Sequence, residues 1–419
     1  MNRIAVLSSE APRPRMAGIA LRYLEIARRL PKLAGVETVL VTPGDPAEVP
    51  AGPFEVRRFV RGGLAGLLAD CQGAVAQGQL ANDLLLECPA LPTAIDLYDP
   101  WLVENLHYFR TLGLDPYRND HATWVLQLSR GDFFLCSSPE QRLYYLGWLT
   151  ALGRVNPERV ERDAALTGLI APVPFGVDLE LPAYQPLLPP RQPGEQRLLF
   201  GGLYDWYDPW TLLAALEKLG DRPCRLLIVQ NPNPEGTPQR LFGEVEAWAK
   251  KRGWWGSRIE AIPWVAAERR FDLLREVDLL VATHRPSLET DLALRTRFLD
   301  ALAAGCAVLS SSGGTVARQL AEAGAGWVVP PGEPHALAAA LEVALDSPAE
   351  RHKRAETGRL LVERYRWESV LAPLVAFCRD PKPDPDKERF AFLPQTVAPA
   401  DPPGFRLRRR LSRLFGGRR

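Results

Sequence analysis

Short apolar segments of strand length alternate with longer segments of helical period along most of this 419-residue chain. This alternation is typical of βαβ units, which place parallel strands in one sheet and cover both of its faces with helices. The sequence therefore predicts an α/β fold. The expected strands lie near residues 4–7, 36–41, 56–60, 93–97, 133–137 and 171–174 in the first half, and near 198–201, 225–229, 259–262, 278–282, 307–311 and 327–329 in the second.

The chain is long enough for two domains. A single hydrophobic core rarely grows beyond about 250–300 residues, and the 46% hydrophobic content is sufficient for two cores. Five prolines between residues 182 and 193 mark a break, because such a segment continues neither a helix nor a central strand. The expected parts are a first domain (1–178), a proline-rich hinge (179–195), a second domain (196–346), C-terminal helices (347–378) whose last member packs back on the first domain, a disordered tether (379–404) and a basic tail (405–419).

Two similar α/β halves joined by a short hinge predict a cleft between the carboxyl ends of two sheets, where such folds bind ligands. No Gly-x-Gly-x-x-Gly, P-loop or Gly-x-Ser-x-Gly motif occurs, which argues against nicotinamide binding, P-loop chemistry and a serine hydrolase. The six cysteines stand singly, so we expect reduced thiols and no metal site. No apolar stretch has the length of a membrane span or signal peptide, which favours a cytoplasmic protein.

The net charge of +1 conceals a separation of charge along the chain. Residues 405–419 contain seven Arg and no acidic residue, with Leu and Phe side chains at helical spacing, whereas the remainder is mildly acidic. Such a segment suits the surface of an anionic membrane. Binding of nucleic acid and a merely solubilising end are the alternatives, and nucleic acid is the least favoured of the three.

The segment 284–312 reads as a loop, a helix and a buried strand, and its helix has two distinct faces. Arg295 and Arg297 stand beside the expected helix N-terminus, where free backbone N–H groups and two guanidinium groups would suit a diphosphate. Asp300, one turn later, could accept hydrogen bonds from ribose hydroxyls. The alternative is a solvated helix face. The opposite face is apolar and carries Leu294, Phe298, Ala301 and Leu302.

Further candidate residues follow predicted strands. Gly201 and Gly202 form a strand-to-helix turn that would let the backbone approach a phosphate, although turn geometry alone explains two glycines. The aromatic residues that come next, beginning with Tyr204, either wall a sugar or base site or pack between the domains. Asp99 and Glu104 could orient an acceptor hydroxyl, with helix capping as the alternative for Asp99. In the first loop an anionic group could meet Arg13, Arg15 and Arg22.

Several segments, in their order along residues 3–378, resemble retaining glycosyltransferases of the GT-B fold, specifically family 4 and a bacterial subgroup with an Arg-Thr-Arg-x-Leu-Asp motif. These segments are MAGIALRYLEIARRL, FFLCSSPEQRLYYLGWLTALGRVNP, PVPFGVD, GGLYDWYDPWTLL, LETDLALRTRFLDALAAG and FLDALAAGCAVLSS. The resemblance implies two Rossmann-like domains with parallel sheets facing across a cleft. It also implies metal-independent transfer of a sugar from a nucleotide-diphosphate donor, a co-substrate rather than a cofactor, to a bacterial surface glycan or lipid-linked acceptor.

The resemblance also implies roles for single residues. Asp300 takes the place of the second acid of the family's Glu-x7-Glu pattern, while the first acid is displaced and Glu289 or Asp291 substitutes for it. The family's basic pair after the glycine turn is absent, so Arg295 and Arg297 would hold the diphosphate. The remaining matches are Trp264, in the loop that meets the nucleotide base, and Gly18, in the loop facing the transferred sugar.

Two other functions stay open at this point. Nucleotide-sugar epimerases share the fold, but they call for catalytic acids and histidines in the cleft, of which this chain offers few. A non-catalytic scaffold in a glycan-biosynthesis complex is the second alternative, because the usual diphosphate motif is eroded.

Overall fold

The structure, a computed structural model, describes residues 2–109, 113–230 and 240–387. It contains two sheets of parallel strands, with the orders β3-β2-β1-β4-β5-β6-β7 and β10-β9-β8-β11-β12-β13. The α/β prediction is therefore confirmed. The strands are β1 Arg3–Leu7, β2 Glu37–Thr42, β3 Glu55–Arg58, β4 Gly73–Ala76, β5 Thr93–Asp96, β6 Phe133–Cys136, β7 Ile170–Pro172, β8 Gln196–Phe200, β9 Cys224–Val229, β10 Ile259–Ile262, β11 Leu279–Ala282, β12 Ala307–Ser311 and β13 Trp327–Val329.

Helices follow most strands and cover the faces of both sheets. They are Gly18–Ala34, Leu64–Leu67, Gly78–Glu87, Trp101–Asn105, Asp115–Arg130, Pro139–Ala151 and Pro157–Arg162 in the first domain; Pro209–Lys218, Arg240–Lys251, Arg270–Arg275, Leu288–Leu292, Thr296–Ala304, Thr315–Ala323 and Pro334–Asp346 in the second; and Pro348–Val362, Trp367–Val370 and Ala372–Arg379 at the C-terminal end. No helix among the described residues is long and apolar enough to cross a bilayer.

One strand, β4, was not predicted. It lies between β1 and β5 near the middle of the first sheet, and all four of its residues are buried. Its sequence, Gly-Ala-Val-Ala, contains one β-branched residue and has a low strand propensity. Tight packing explains why a small residue occupies this position of the strand, because a Cβ atom at Gly73 would lie 2.8 Å from Pro381.

The end of the chain's described part returns to the first domain. The helix Ala372–Arg379 contacts the helix Gly18–Ala34, and the ring of Phe377 stacks on that of Phe133 with centroids 5.6 Å apart. Trp367 fills the space above Gly176, where a Cβ atom would lie 2.3 Å from the indole ring. These contacts join the C-terminal helices to the first domain, and that of Trp367 lies beside the start of the hinge.

Residues 379–387 are not part of a disordered tether, which corrects the sequence-based prediction for this stretch. Asp384 is buried and forms ion pairs with Arg154 and Arg159, and Asp386 lies 2.6 Å from a guanidinium nitrogen of Arg162. The prediction failed because the segment has few apolar side chains to bury. Paired charges anchor it instead. The rest of the expected tether and the basic tail, residues 388–419, lie outside the described residues.

Candidate active site

A cavity of about 390 Å³ opens between the two domains, at the carboxyl ends of both sheets. It is lined by the loops after β1 and β5 from the first domain and by the glycine turn after β8 and the helix Thr296–Ala304 from the second. The structure thus brings together residues that lie up to 290 positions apart (Glu10 to Asp300). The predicted residues at the cavity are Gly18, Asp99, Glu104, Gly201, Gly202, Tyr204, Trp264, Arg295, Arg297 and Asp300.

Glu289 is a predicted site residue that does not line the cavity. It is fully buried behind Arg295, and the two side chains form a bidentate pair with N–O distances of 2.8 and 2.9 Å. Glu289 therefore orients Arg295 and cannot reach a ligand directly, which corrects the expectation that it takes part in donor-sugar contact. The alternative, Asp291, is exposed and also lies outside the cavity lining.

Arg297 carries positive charge that no carboxylate neutralises within the described part of the chain. Its guanidinium donates to the hydroxyl of Tyr207 at 2.9 Å and to the carbonyl of Gly202 at 3.4 Å. Gly201 provides the space for it, because a Cβ atom there would lie 2.2 Å from Nη1 of Arg297. The side chain stands in the first turn of the helix Thr296–Ala304, so the helix dipole adds to its attraction for an anion.

Asp300 lies on the same wall, one turn further along the helix. Its Oδ1 atom is 3.1 Å from Nε of Arg270, and burial nevertheless raises its pKa because the attraction of Arg270 offsets only part of the desolvation. Sequence reasoning missed Arg270. It follows the loop of Trp264 by six residues, and no motif or periodicity marked it.

The aromatic residues after the glycine turn form part of the cavity wall and part of the domain contact. The rings of Tyr204 and Trp206 stack with centroids 4.9 Å apart and an interplanar angle of 6°. Trp206 also lies within 6.3 Å, centroid to centroid, of His107 and Tyr108 in the first domain. Packing between the domains is therefore confirmed for Trp206. Tyr204, Trp206 and Tyr207 also line the cavity, and a sugar or base site at these rings stays a prediction.

Arg22 does not face the cavity, so the hypothesis that it meets an anionic group is wrong. Its side chain is fully buried and pairs with Asp96, with an Nε–Oδ2 distance of 2.7 Å, and donates to the carbonyls of Val173 and Pro174. The neighbouring Arg13 forms a surface pair with Glu48 at 2.9 Å. Neither guanidinium is left to bind a ligand in the cleft.

Three carboxylates form the opposite wall: Glu10, Asp99 and Glu104. The helix Trp101–Asn105 has Pro100 at its N-cap and no side-chain cap, so Asp99 is not a helix cap. Burial raises the pKa of Asp99 to about 6 and that of Glu104 well above its usual range, and repulsion between the two groups adds to the rise at Glu104. Burial also raises the pKa of Glu10. A hydrogen bond joins the side chains of Asp99 and Glu104.

Trp264 closes the cavity by joining the two domains. Its indole N–H donates to the carbonyl of Met16 at 3.2 Å, and the backbone N–H of Ala267 donates to the carbonyl of Pro14 at 2.9 Å. These bonds hold the loop after β10 against the loop that precedes Gly18. The first residues of the helix Gly18–Ala34 thus face the second domain directly.

A second cavity, of about 430 Å³, lies on the far side of Trp264. Three of its four arginines are paired with carboxylates, while Arg15 is exposed. Among the described residues, the cavity between the sheets contains a guanidinium without a carboxylate partner and three carboxylates without a cationic partner. It is therefore the better candidate for an active site. The arginines at the second cavity are Arg15, Arg197, Arg225 and Arg269.

Comparison with solved structures defines the class of fold. Sucrose-phosphate synthase from Thermosynechococcus elongatus superposes with a TM-score of 0.67 at 17% identity, covering 90% of this chain and 98% of that one. Anabaena HepE in complex with UDP-glucose gives 0.61 at 16% identity, with 89% and 98% covered. WaaG, a glycosyltransferase involved in lipopolysaccharide biosynthesis, gives 0.59 at 16% identity, with 91% and 100% covered. The chain has the two-domain, Rossmann-like GT-B fold.

The second domain also matches a family model. Residues 195–347 match the model described as "Glycosyl transferases group 1". No curated protein matches the chain significantly. The domain match and the fold together support a GT-B glycosyltransferase.

No metal cluster is evident among the described residues: nowhere do three or more His, Cys, Asp or Glu side chains converge so that they could hold an ion. Metal independence itself stays a prediction.

We expect Gly201→Ala to displace the Arg297 guanidinium without unfolding the protein, because the new methyl group meets the mobile end of a flexible side chain. Affinity for a nucleoside diphosphate should fall by about 10-fold, the loss typical of one misplaced charged hydrogen bond. Calorimetry measures this. Gly243→Ala, at a helix position with open space around it, is the matched control. Equal affinity in both variants would contradict the prediction that Arg297 binds the diphosphate.

We expect Asp99→Asn to stabilise the protein above pH 6. The folded-state pKa of Asp99 is raised from 3.8 to about 6. Ionisation of Asp99 therefore costs free energy in the folded chain, and wild-type stability falls as the pH rises through this interval. The variant avoids that cost, which we place at about 1 kcal/mol because the group is only half-buried. Urea unfolding at pH 4 and pH 8 measures it.

The stabilisation should be present at pH 8 and absent at pH 4, where the carboxyl is largely protonated in the folded state. Asp115→Asn, at a carboxylate that is 91% exposed, serves as the control and should change stability little at either pH. A variant less stable than the wild type at pH 8 would show that the Asp99 carboxylate is favourably paired there.

Proposed function

We propose that the chain transfers a sugar from a nucleoside-diphosphate donor, with retention of configuration and without a metal, to a glycan or lipid-linked acceptor of the bacterial surface. The observation that carries this proposal is the unpaired guanidinium of Arg297 at the N-terminus of the helix Thr296–Ala304, on a wall of the interdomain cavity. The match of the second domain to a glycosyltransferase family model supports the reaction class.

The donor binds to the wall formed by the second domain. Its diphosphate lies against Arg297 and the free N–H groups at the start of the helix, where both the side chain and the backbone attract negative charge. Asp300 accepts hydrogen bonds from the ribose hydroxyls. The loop of Trp264 meets the base, and Gly18, on the other side of the cavity, leaves room for the transferred sugar.

The residues fit a step in which the departing diphosphate accepts the acceptor's proton. The acceptor oxygen forms a bond to the anomeric carbon on the same face from which the diphosphate oxygen leaves, and the hydroxyl proton passes to that departing oxygen. The protein stabilises the charge that develops on the diphosphate through Arg297, with Arg295 held beside it by Glu289. It also orients the acceptor from the wall of Asp99 and Glu104.

Two structural neighbours support the donor and acceptor classes. Anabaena HepE was solved in complex with UDP-glucose, and WaaG is involved in lipopolysaccharide biosynthesis. A sugar nucleotide as donor and an envelope glycan as acceptor are consistent with both.

Arg297→Ala should reduce kcat/KM by about 100-fold, because removing one preorganised donor to a developing oxyanion typically costs that much. Turnover is measured on the sugar nucleotide that a donor panel identifies. Arg297 is a cleaner target than Arg295, whose removal leaves Glu289 buried without its partner. Arg118→Ala, at a guanidinium that is 69% exposed on the first domain, controls for loss of one positive charge. Unchanged turnover in Arg297→Ala would contradict the proposal that Arg297 stabilises the departing diphosphate.

We also propose that residues 405–419 hold the enzyme on the anionic inner face of the cell membrane, where a lipid-linked acceptor is available. The support is the sequence: seven Arg, no acid and an apolar stripe. Deletion of these residues should abolish sedimentation with vesicles containing anionic lipid while leaving turnover on a water-soluble acceptor unchanged. Sedimentation that persists after the deletion would refute membrane binding through this tail.

A further inference from the structure

The wall of the cavity contributed by the first domain is acidic and contains no cation. Among its described residues it has three carboxylates, those of Glu10, Asp99 and Glu104, and no Arg, Lys or His. Two buried guanidinium groups lie close to this wall: that of Arg22 is neutralised by Asp96 in a bidentate pair, and that of Arg295, which attracts Glu104, is paired with Glu289. An anionic substituent placed against this wall would meet repulsion from the three carboxylates and find no cationic side chain among the described residues of the wall itself.

A second observation points to a ligand beside this wall. The indole N–H of Trp206 has no hydrogen-bond partner, although the side chain is only 7% exposed and lines the cavity. A buried donor of this kind ordinarily has an acceptor. Trp206 stacks on Tyr204, and it contacts Tyr108, four residues beyond Glu104, so its ring lies beside the first domain.

Together these groups match the chemistry of a sugar ring without charge. A hydroxyl or ring oxygen can accept from the indole N–H, hydroxyl groups can donate to the carboxylates, and the flat aromatic pair offers a surface to the apolar face of the ring. An ammonium group would fit the carboxylates equally well. A phosphate group fits less well, because the carboxylates of this wall repel its negative charge.

We propose that the acceptor is an uncharged or amino-bearing glycoside, and that Asp99 and Glu104 select it against phosphorylated sugars. This inference rests on the proposed function, and it assigns the acceptor's charge class, which the family match leaves open. The donor's own negative charge stays on the opposite wall, against Arg297.

The test compares three probes that differ in charge at one carbon: methyl glucoside, its 6-amino derivative and its 6-phosphate. Binding to the full chain is followed by tryptophan fluorescence, since Trp206 and Trp264 line the cavity. The measurements are made at pH 8 with the best-binding nucleoside diphosphate present. We expect the amino and neutral probes to bind at least about 10-fold more tightly than the phosphate probe.

The double variant Asp99→Asn/Glu104→Gln should reduce this preference to less than about 3-fold, because it removes the repulsion and keeps the size of both side chains. The matched control is Glu48→Gln/Asp115→Asn, which removes two exposed carboxylates outside the cavity and should leave the preference intact. Calorimetry with the nucleoside diphosphate separates the two proposals. If the double variant still binds the nucleoside diphosphate, the proposed donor site is supported independently of the results with the three probes.

Three results would overturn the acceptor proposal. The first is equal affinity for the phosphate and neutral probes, and the second is a double variant with the full preference of the wild type. The third is absence of binding by both the neutral and the amino probe at 50 mM, a concentration about 50-fold above a millimolar Kd.

Discussion

Burial of charge at the domain boundary determines the layout of this site. Around the cavity most charged groups form ion pairs: Asp96 with Arg22, Glu289 with Arg295, and Asp300 with Arg270. Such pairs fix geometry, because removing either partner leaves an uncompensated charge away from water. The charged groups that have no partner of opposite charge therefore indicate where a ligand could bind. In the described part of the chain, one wall keeps the guanidinium of Arg297 without a carboxylate partner, and the other keeps the carboxyls of Asp99 and Glu104 without a cationic partner. The proposed donor and acceptor sides of the cavity rest on this asymmetry.

The alternation of strand and helix was sufficient to predict both parallel sheets and the position of the cleft. Parallel strands end at the same edge of a sheet, so residues that follow strands meet there whatever their distance along the chain. This rule placed Gly18, Asp99, Gly201 and Trp264 correctly at the cavity. Glu10, which also follows β1, was available to the same rule and was overlooked.

The remaining features depend on packing and pairing, which a single sequence does not display. Nothing in the chain marks Glu289 as the buried partner of Arg295, or Asp96 as that of Arg22, because each partner comes from a different loop or element. The docking of Asp384 on Arg154 and Arg159 joins residues 230 positions apart, and a proline-rich composition concealed it. β4 was missed because small residues at its position satisfy close packing rather than strand propensity.

A crystal structure of the chain with a bound nucleoside diphosphate is the most direct measurement of the central claim, that opposite walls of one cavity hold donor and acceptor. The account predicts the diphosphate within hydrogen-bond distance of Arg297 and the first N–H groups of the helix Thr296–Ala304, with the wall of Asp99 and Glu104 left free. A diphosphate bound against Arg15 in the second cavity, with Arg297 still held by Tyr207, would contradict it.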